Sequence, residues 1–303
     1  MSGKKIICRA DGNSSVGLGH IYRMLAIAEF YRGDYQVIFV TKKSCLTTII
    51  PEVFKTILVP ENVSIEEEPK WFANNFSVSE YFIIADGYQF VSSYQKAIKN
   101  SGFKLIYIDD LVKEHMYADV VVNHSPYNIP AHYKAENYTE FALGTDFAML
   151  RPLFNEAAKE KRKINQIKNA FVCFGGADQY DLSLRASKAL LNINAIENIH
   201  VVIGGAYKHK EIIRLEKENN KLYLHKNLDE KSLYELMKIC QIAIVPSSTI
   251  LYEICSVKMP VLSGYYVDNQ KNIYKGLAEK GIIVKGGDFS NYTISDFEEK
   301  INN

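Results

Sequence analysis

A chain of 303 residues with 47% hydrophobic and 23% charged residues has the composition of a globular protein, and its length suits two domains of ordinary size rather than one core. A formal net charge of +1 gives no electrostatic footprint for nucleic acid or an anionic membrane, which argues against both as partners, so a bound anion has to be met by local groups. The five cysteines (Cys8, Cys45, Cys173, Cys240, Cys255) have no close pair at metal-ligand or redox spacing and read as buried free thiols of a reducing cytosol.

The chain opens on a strand, Lys4 to Ala10, without a signal-peptide pattern, and no apolar run is long enough to cross a bilayer. A cytoplasmic location with no membrane insertion is therefore expected. Val16-Gly17-Leu18-Gly19-His20 follows the strand, and Ile21, Met24, Leu25, Ile27 and Ala28 then recur at helical spacing. In this strand, glycine loop, helix order the glycines allow close backbone approach and the helix start offers free N–H groups. Tyr22 stands where a dinucleotide motif would place its third glycine, so an NAD or FAD site is not supported. His20 sits at the mouth of the loop and can exchange a proton near neutral pH.

The alternation continues with a strand at Tyr35–Val40, a helix-like run from Cys45 to Val53, a strand at Thr56–Val59 and a helix from Glu67 to Phe76. Apolar strands then end in carboxylates at Asp86 and at Asp109-Asp110, with one more strand at 119–123 and an irregular stretch from Ser125 to Tyr138. Near-continuous apolar strands separated by amphipathic helices predict a parallel sheet covered on both faces. The pattern breaks near Arg151-Pro152, and a charged, helical-looking run from Phe154 to Lys168 reads as a connection. It restarts with a strand at Asn169–Phe174, the turn Gly175-Gly176-Ala177-Asp178 and a helix from Leu182 to Leu191. Further strands are expected at 200–203, 222–225, 242–245, 261–264 and 282–285. The fold expected is α/β, two Rossmann-like open parallel-sheet domains facing a cleft, with residues 1–152 in the first and 153–303 in the second.

Candidate site residues fall at strand ends. Ser247 and Ser248 open a helix and could meet a diphosphate, with Glu253 one turn on accepting from a ribose; simple helix capping is the plain alternative. Gly175 and Gly176 let backbone approach the same ligand or form a plain turn. Tyr266, Asn269 and Gln270 follow a strand and open a helix, where they read an amide-bearing ligand or cap that helix. Asp86 and Asp109 polarise a histidine, hold sugar hydroxyls or satisfy turn N–H groups. Asp11, at the end of the first strand, is the candidate for orienting His20.

Taken together, Arg9-Ala10-Asp11, Gly17-Leu18-Gly19-His20-Ile21-Tyr22-Arg23, Phe174-Gly175-Gly176-Ala177-Asp178, Ser247-Ser248 with Glu253, and Tyr266-Val267-Asp268-Asn269-Gln270 form one ordered set. It resembles the UDP-2,4-diacetamido-2,4,6-trideoxy-β-L-altropyranose hydrolases of pseudaminic acid biosynthesis and the related spore-coat polysaccharide proteins. Met24 stands where many members carry cysteine, and Asp86-Gly87 replaces a more usual Asp-His or Asp-Tyr. The resemblance implies a glycosyltransferase-B type fold, UDP held mainly by the C-terminal domain, no metal or cofactor, and hydrolysis at the anomeric carbon with inversion. It implies His20 as catalytic base, with Gly17, Gly19 and Arg23 in the substrate site, and a role in a bacterial surface glycan. The expected partner is the UDP-sugar substrate, with no obligate protein partner evident. A glycosyltransferase using a UDP-sugar on the same fold, or a non-catalytic UDP-sugar-binding protein, are the rival readings.

Overall fold

The computed structural model describes residues 4–12, 18–43, 45 and 47–302. The chain divides into two compact units, Met1–Met149 and Leu150–Asn303. In unit 1 the order is β1 (Lys5–Ala10), α1 (Gly19–Tyr31), β2 (Gln36–Lys42), β3 (Lys55–Val59), α2 (Glu68–Asn75), β4 (Tyr81–Asp86), α3 (Ser92–Asn100), β5 (Lys104–Ile108), β6 (His115–Met116), β7 (Val120–Asn123), β8 (Lys134–Ala135) and β9 (Glu140–Leu143). Seven of these strands form one sheet in the order β3-β2-β1-β4-β5-β7-β9, parallel throughout. Strand side chains alternate between faces, and each face has its own core. Ile6 and Cys8 pack with Ile21 and Met24 of α1, while Ile7 packs with Phe72 of α2 and Ile98 of α3. The sheet direction of growth reverses between β1 and β4, which opens a crevice at their carboxyl ends.

Unit 2 holds α4 (Pro152–Ala157), β10 (Asn169–Val172), α5 (Leu182–Leu191), β11 (Asn198–Ile203), α6 (Glu211–Glu218), β12 (Leu222–Lys226), α7 (Glu230–Ile239), β13 (Ile242–Pro246), α8 (Thr249–Ser256), β14 (Val261–Tyr265), α9 (Asp268–Glu279), β15 (Val284–Asp288) and α10 (Ile294–Asn302). Its parallel sheet runs β12-β11-β10-β13-β14-β15, so the reversal lies between β10 and β13. Ala170, Val172, Ile199 and Val201 bury one face against Leu190 of α5 and Phe297 of α10. Phe171, Ala243 and Val245 are equally buried on the alternate positions. Among the described residues no helix is long and apolar enough to cross a membrane.

Two expected helices shrink. The Cys45–Val53 run yields only a single 3₁₀ turn, Thr47–Ile49. Its β-branched residues resist helix, and Pro51 disfavours helical geometry in the residue before it. The Phe154–Lys168 run is helical only to Ala157, because the charged residues that follow have no apolar stripe to bury. Arg162 instead reaches back to α7 and α8. Its guanidinium donates to the carbonyls of Met237, Lys238 and Cys240, at the end of α7, and to Val257 at the end of α8. These are carbonyls a helix C-terminus leaves without intrahelical donors. Arg162→Ala should therefore lower stability by about 1–2 kcal/mol, seen as a lower urea midpoint without a change of slope. Two edge strands also escape the pattern: β9 is too short to show a period, and β15 starts after Ile283 rather than at Ile282.

Candidate functional site

The carboxyl ends of β1 and β4 carry the most concentrated polar group of unit 1. Asp86 is the last residue of β4, paired in register with Ala10 of β1, and His20 and Arg23 project from the first turns of α1. His20 Nδ1 lies 2.7 Å from Asp86 Oδ1. Arg23 donates through Nε to Asp86 Oδ2 and through Nη2 to Asp86 Oδ1, each at 2.7 Å. The same guanidinium binds Asp110 through Nη1 at 3.2 Å and Nη2 at 3.0 Å. All four side chains are buried.

Burial by itself would raise the Asp86 carboxyl. The charge of Arg23 and the hydrogen bonds from His20 and Arg23 overcome that and hold it well below the usual carboxylate range. Ionised, Asp86 can only accept, so His20 carries its proton on Nδ1. Arg23 Nη2 approaches Nδ1 to 2.9 Å as well, but both of its hydrogens are directed to Asp86 and Asp110, so no hydrogen bond forms there. The lone pair of His20 is therefore on Nε2, which bonds to none of the described residues. Two carboxylates face one guanidinium, so the group carries excess negative charge when the imidazole is neutral. That field disfavours a further anion beside it. Tyr88 completes the group: its ring meets the imidazole edge-on at 4.9 Å, and its hydroxyl donates to Asp110 Oδ2 at 3.3 Å.

The expectation that Asp11 orients His20 is corrected. Asp11 Oδ1 accepts from the Thr41 hydroxyl at 3.0 Å and the Lys42 amide at 2.7 Å, and lies 2.8 Å from Arg9 Nη1. Beyond the end of β1 its Oδ1 faces β2, while its Oδ2 accepts from Gln89 Nε2 at 3.1 Å, and it makes no contact with His20. Arg9 is itself fully buried under the ring of Phe90, and it donates two hydrogen bonds to Glu68 of α2, at 2.7 and 3.0 Å. Asp109 serves a local turn, accepting from the amides of Leu111 and Val112 and from the Tyr133 hydroxyl, and burial pushes its carboxyl up. Gly19 opens α1. Gly17 lies outside the described residues.

In unit 2 the crevice at β10 and β13 is lined by loops. Gly175 has φ of +81°, a left-handed conformation that glycine adopts at no cost. A Cβ on Gly204 would stand 2.5 Å from the Gly176 Cα, so the loop after β11 lies directly against the Gly175-Gly176 turn. Tyr266 braces the same turn, donating from its hydroxyl to the Phe174 carbonyl at 2.9 Å. Gln270 Oε1 accepts from the Tyr266 amide at 3.0 Å, so its side chain is committed to the loop, and Asn269 sits in the first turn of α9. Asp178 occupies the start of α5 by accepting from the amides of Leu182 and Ser183, and Asp229 caps α7 through Ser232. At α8 the N-cap is Ser248 with no side-chain cap, while the buried Ser247 hydroxyl is paired with Ser263 at 2.9 Å. Among the described residues, then, no carboxylate caps the start of α8, whose first N–H groups have no acceptor within the helix.

Glu253, expected to accept from a ribose, lies one turn into α8 with both carboxylate oxygens on Arg151. Arg151 grips it through Nε at 2.7 Å and Nη2 at 2.9 Å, and burial pushes the Glu253 carboxyl up against that pull. Arg151, Tyr88, Gly204 and Asp110's bond to Arg23 were not legible as site features. Arg151 and Gly204 carry no local motif, and each finds its partner only through the sheet order.

No protein-family model matches the chain. It is 26% identical over 291 residues to the UDP-2,4-diacetamido-2,4,6-trideoxy-beta-L-altropyranose hydrolase of Campylobacter jejuni, across 93% of this chain and 98% of that protein. It is 25% identical over 277 residues to the spore coat polysaccharide biosynthesis protein SpsG of Bacillus subtilis, across 90% and 80% of the two chains. The chain is a relative of these proteins. The resemblance drawn from the ordered motifs is therefore upheld, and it runs through both units. A third relative, an uncharacterized protein of Methanocaldococcus jannaschii, is 27% identical over 91% of this chain, which spans only 58% of that protein's length. Among solved structures, MurG of Acinetobacter baumannii superposes with a TM-score of 0.63 at 12% identity, over 99% of this chain and 90% of that one. Os79 of O. sativa gives 0.70 at 10% identity, over 98% and 90%. At such identities the likeness is one of fold, and the fold is that of the glycosyltransferase-B enzymes.

Proposed function

We propose that the protein is a UDP-sugar hydrolase that cleaves a UDP-2,4-diacetamido-2,4,6-trideoxyhexose by attack of water on the anomeric carbon, with inversion. The observation that carries this reading is the His20–Asp86–Arg23 group, which holds a neutral imidazole with its Nδ1 proton on a carboxylate and its Nε2 lone pair free of partners among the described residues. Nε2 takes a proton from the attacking water as the oxygen bonds to the anomeric carbon. The bond from that carbon to the β-phosphate oxygen breaks, and its electron pair leaves with UDP. Asp86 stabilises the imidazolium, which then returns its proton to solvent. Positioned proton transfer of this kind contributes roughly 10²–10⁴-fold.

In this reading unit 1 takes the sugar and carries the base, and unit 2 takes the UDP. The excess negative charge around His20 supports that division, since a diphosphate is repelled there. The uncapped start of α8 and the Gly175-Gly176 turn are the groups suited to phosphate. Asp11, Asp109, Glu253 and Gln270 then act by fixing the loops around the ligand, and Asn269, in the first turn of α9, is proposed to meet an amide or ribose group. The name borne by the Campylobacter relative supports both the hydrolytic step and the diacetamido substrate.

The glycosyltransferases among the fold's neighbours favour a second reading, in which a sugar or lipid hydroxyl replaces water. Incubation with the UDP-diacetamido sugar, following UDP release with and without an added acceptor, separates the two. Steady release in water alone is expected; release only when an acceptor is present would establish the transferase.

A further inference from the structure

We infer that Gln89 is a positioning residue for His20, acting through the loop that follows β4 and anchored by Asp11. Asp11 Oδ1 is committed to β1 and β2, while its Oδ2 accepts from Gln89 Nε2 at 3.1 Å. The Gln89 amide folds back over Gly87, so closely that a Cβ there would stand 2.5 Å from Gln89 Oε1. Between these two residues lies Tyr88, whose ring packs edge-on against the His20 imidazole. The carbonyl of Gly87 accepts from the Tyr107 hydroxyl at 3.3 Å and from the Phe90 amide at 3.2 Å.

The loop is thus closed by the Phe90 amide on the Gly87 carbonyl and pinned between them by the Gln89 hydrogen bond to a rigid acceptor. Tyr88 is the exposed member of the segment, and its place over the imidazole is set by its hydroxyl on Asp110 together with the pinned loop on either side of it. With Tyr88 in place, the ring shields the Nδ1–Asp86 hydrogen bond from water and leaves His20 one orientation. Asp11 thereby acts on the histidine only indirectly, through one hydrogen bond to Gln89 and the ring contact of the adjoining Tyr88.

The inference rests on His20 being the base, and its test has one arm that does not depend on activity. Gln89→Met keeps the volume over Gly87 and removes the donor. Its kcat for UDP release should fall roughly tenfold, the free energy of about one hydrogen bond, while KM stays within about twofold and the urea midpoint within measurement error. In parallel, the His20 Nδ1 proton, assigned in the NMR spectrum by its absence from His20→Asn, should exchange with solvent roughly tenfold faster. Gly87→Ala, which drives a methyl group into the same amide, should reproduce both changes. Wild-type kcat and wild-type proton exchange in Gln89→Met would overturn the inference. So would a loss of activity with a lowered midpoint and an unchanged His20 proton, which marks a merely structural role. If the wild-type protein released no UDP, the hydrolase reading would fail, and the proton-exchange arm would still decide this one.

Discussion

His20→Asn should abolish hydrolysis and leave UDP binding intact. Asparagine can keep a donor on Asp86 where Nδ1 stood, so the buried group with Arg23 and Asp110 retains its packing and most of its hydrogen bonds. What it lacks is a lone pair that accepts a proton near neutral pH. The rate of UDP release should drop by ~10²–10⁴-fold, with the loss in kcat rather than KM. Calorimetric titration with UDP should give an affinity within about twofold of wild type, because the diphosphate is assigned to the α8 end of unit 2. A protein that only binds UDP-sugar, or one whose base lies elsewhere, would keep its behaviour in this variant.

Asp86→Asn should cost nearly as much by a different route. An amide at this position can present its N–H₂ to His20 Nδ1, which moves the imidazole proton to Nε2 and takes the lone pair away from the water. A reversal of this kind costs about 10⁴-fold in kcat in serine-protease triads. Asp86 also contributes to stability, with a definite sign. Its carboxyl titrates lower in the folded chain than the ordinary value of ~3.9, so its contribution is complete above that value and fades as pH falls below it. Wild type should therefore exceed Asp86→Asn in urea midpoint at pH 7, and the gap should narrow as the pH is taken below about 4. A gap that held constant on acidification would mean that Asp86 is not the low-titrating carboxylate of this group.

The sheets, and the strand ends where the polar residues collect, were readable from the chain because fully buried parallel strands leave unbroken apolar runs. Ile6-Ile7-Cys8, Ile83-Ile84-Ala85 and Ala243-Ile244-Val245 are such runs, and each lies in a central strand. Pairings between those ends were not readable. Asp11 is closer to His20 in sequence, yet Asp86 is its partner, because β4 lies next to β1 in register and the Asp11 carboxylate is taken by β2 and Gln89. Glu253 has the helical placement expected of it, but a guanidinium 102 positions away occupies its carboxylate. Charge and packing over such separations are set by strand order, which periodicity does not encode. The helices lost at 45–53 and 158–168 failed for local reasons: β-branching with Pro51 in one, and a charged run without an apolar stripe in the other.

The proposed role of His20 turns on which bond is broken. Hydrolysis in water enriched in ¹⁸O, followed by mass analysis of both products, answers this directly. Attack on the anomeric carbon by a water that His20 deprotonates puts the label in the free sugar and none in UDP. Label in the β-phosphate of UDP, or no release of UDP until an acceptor is added, would contradict it.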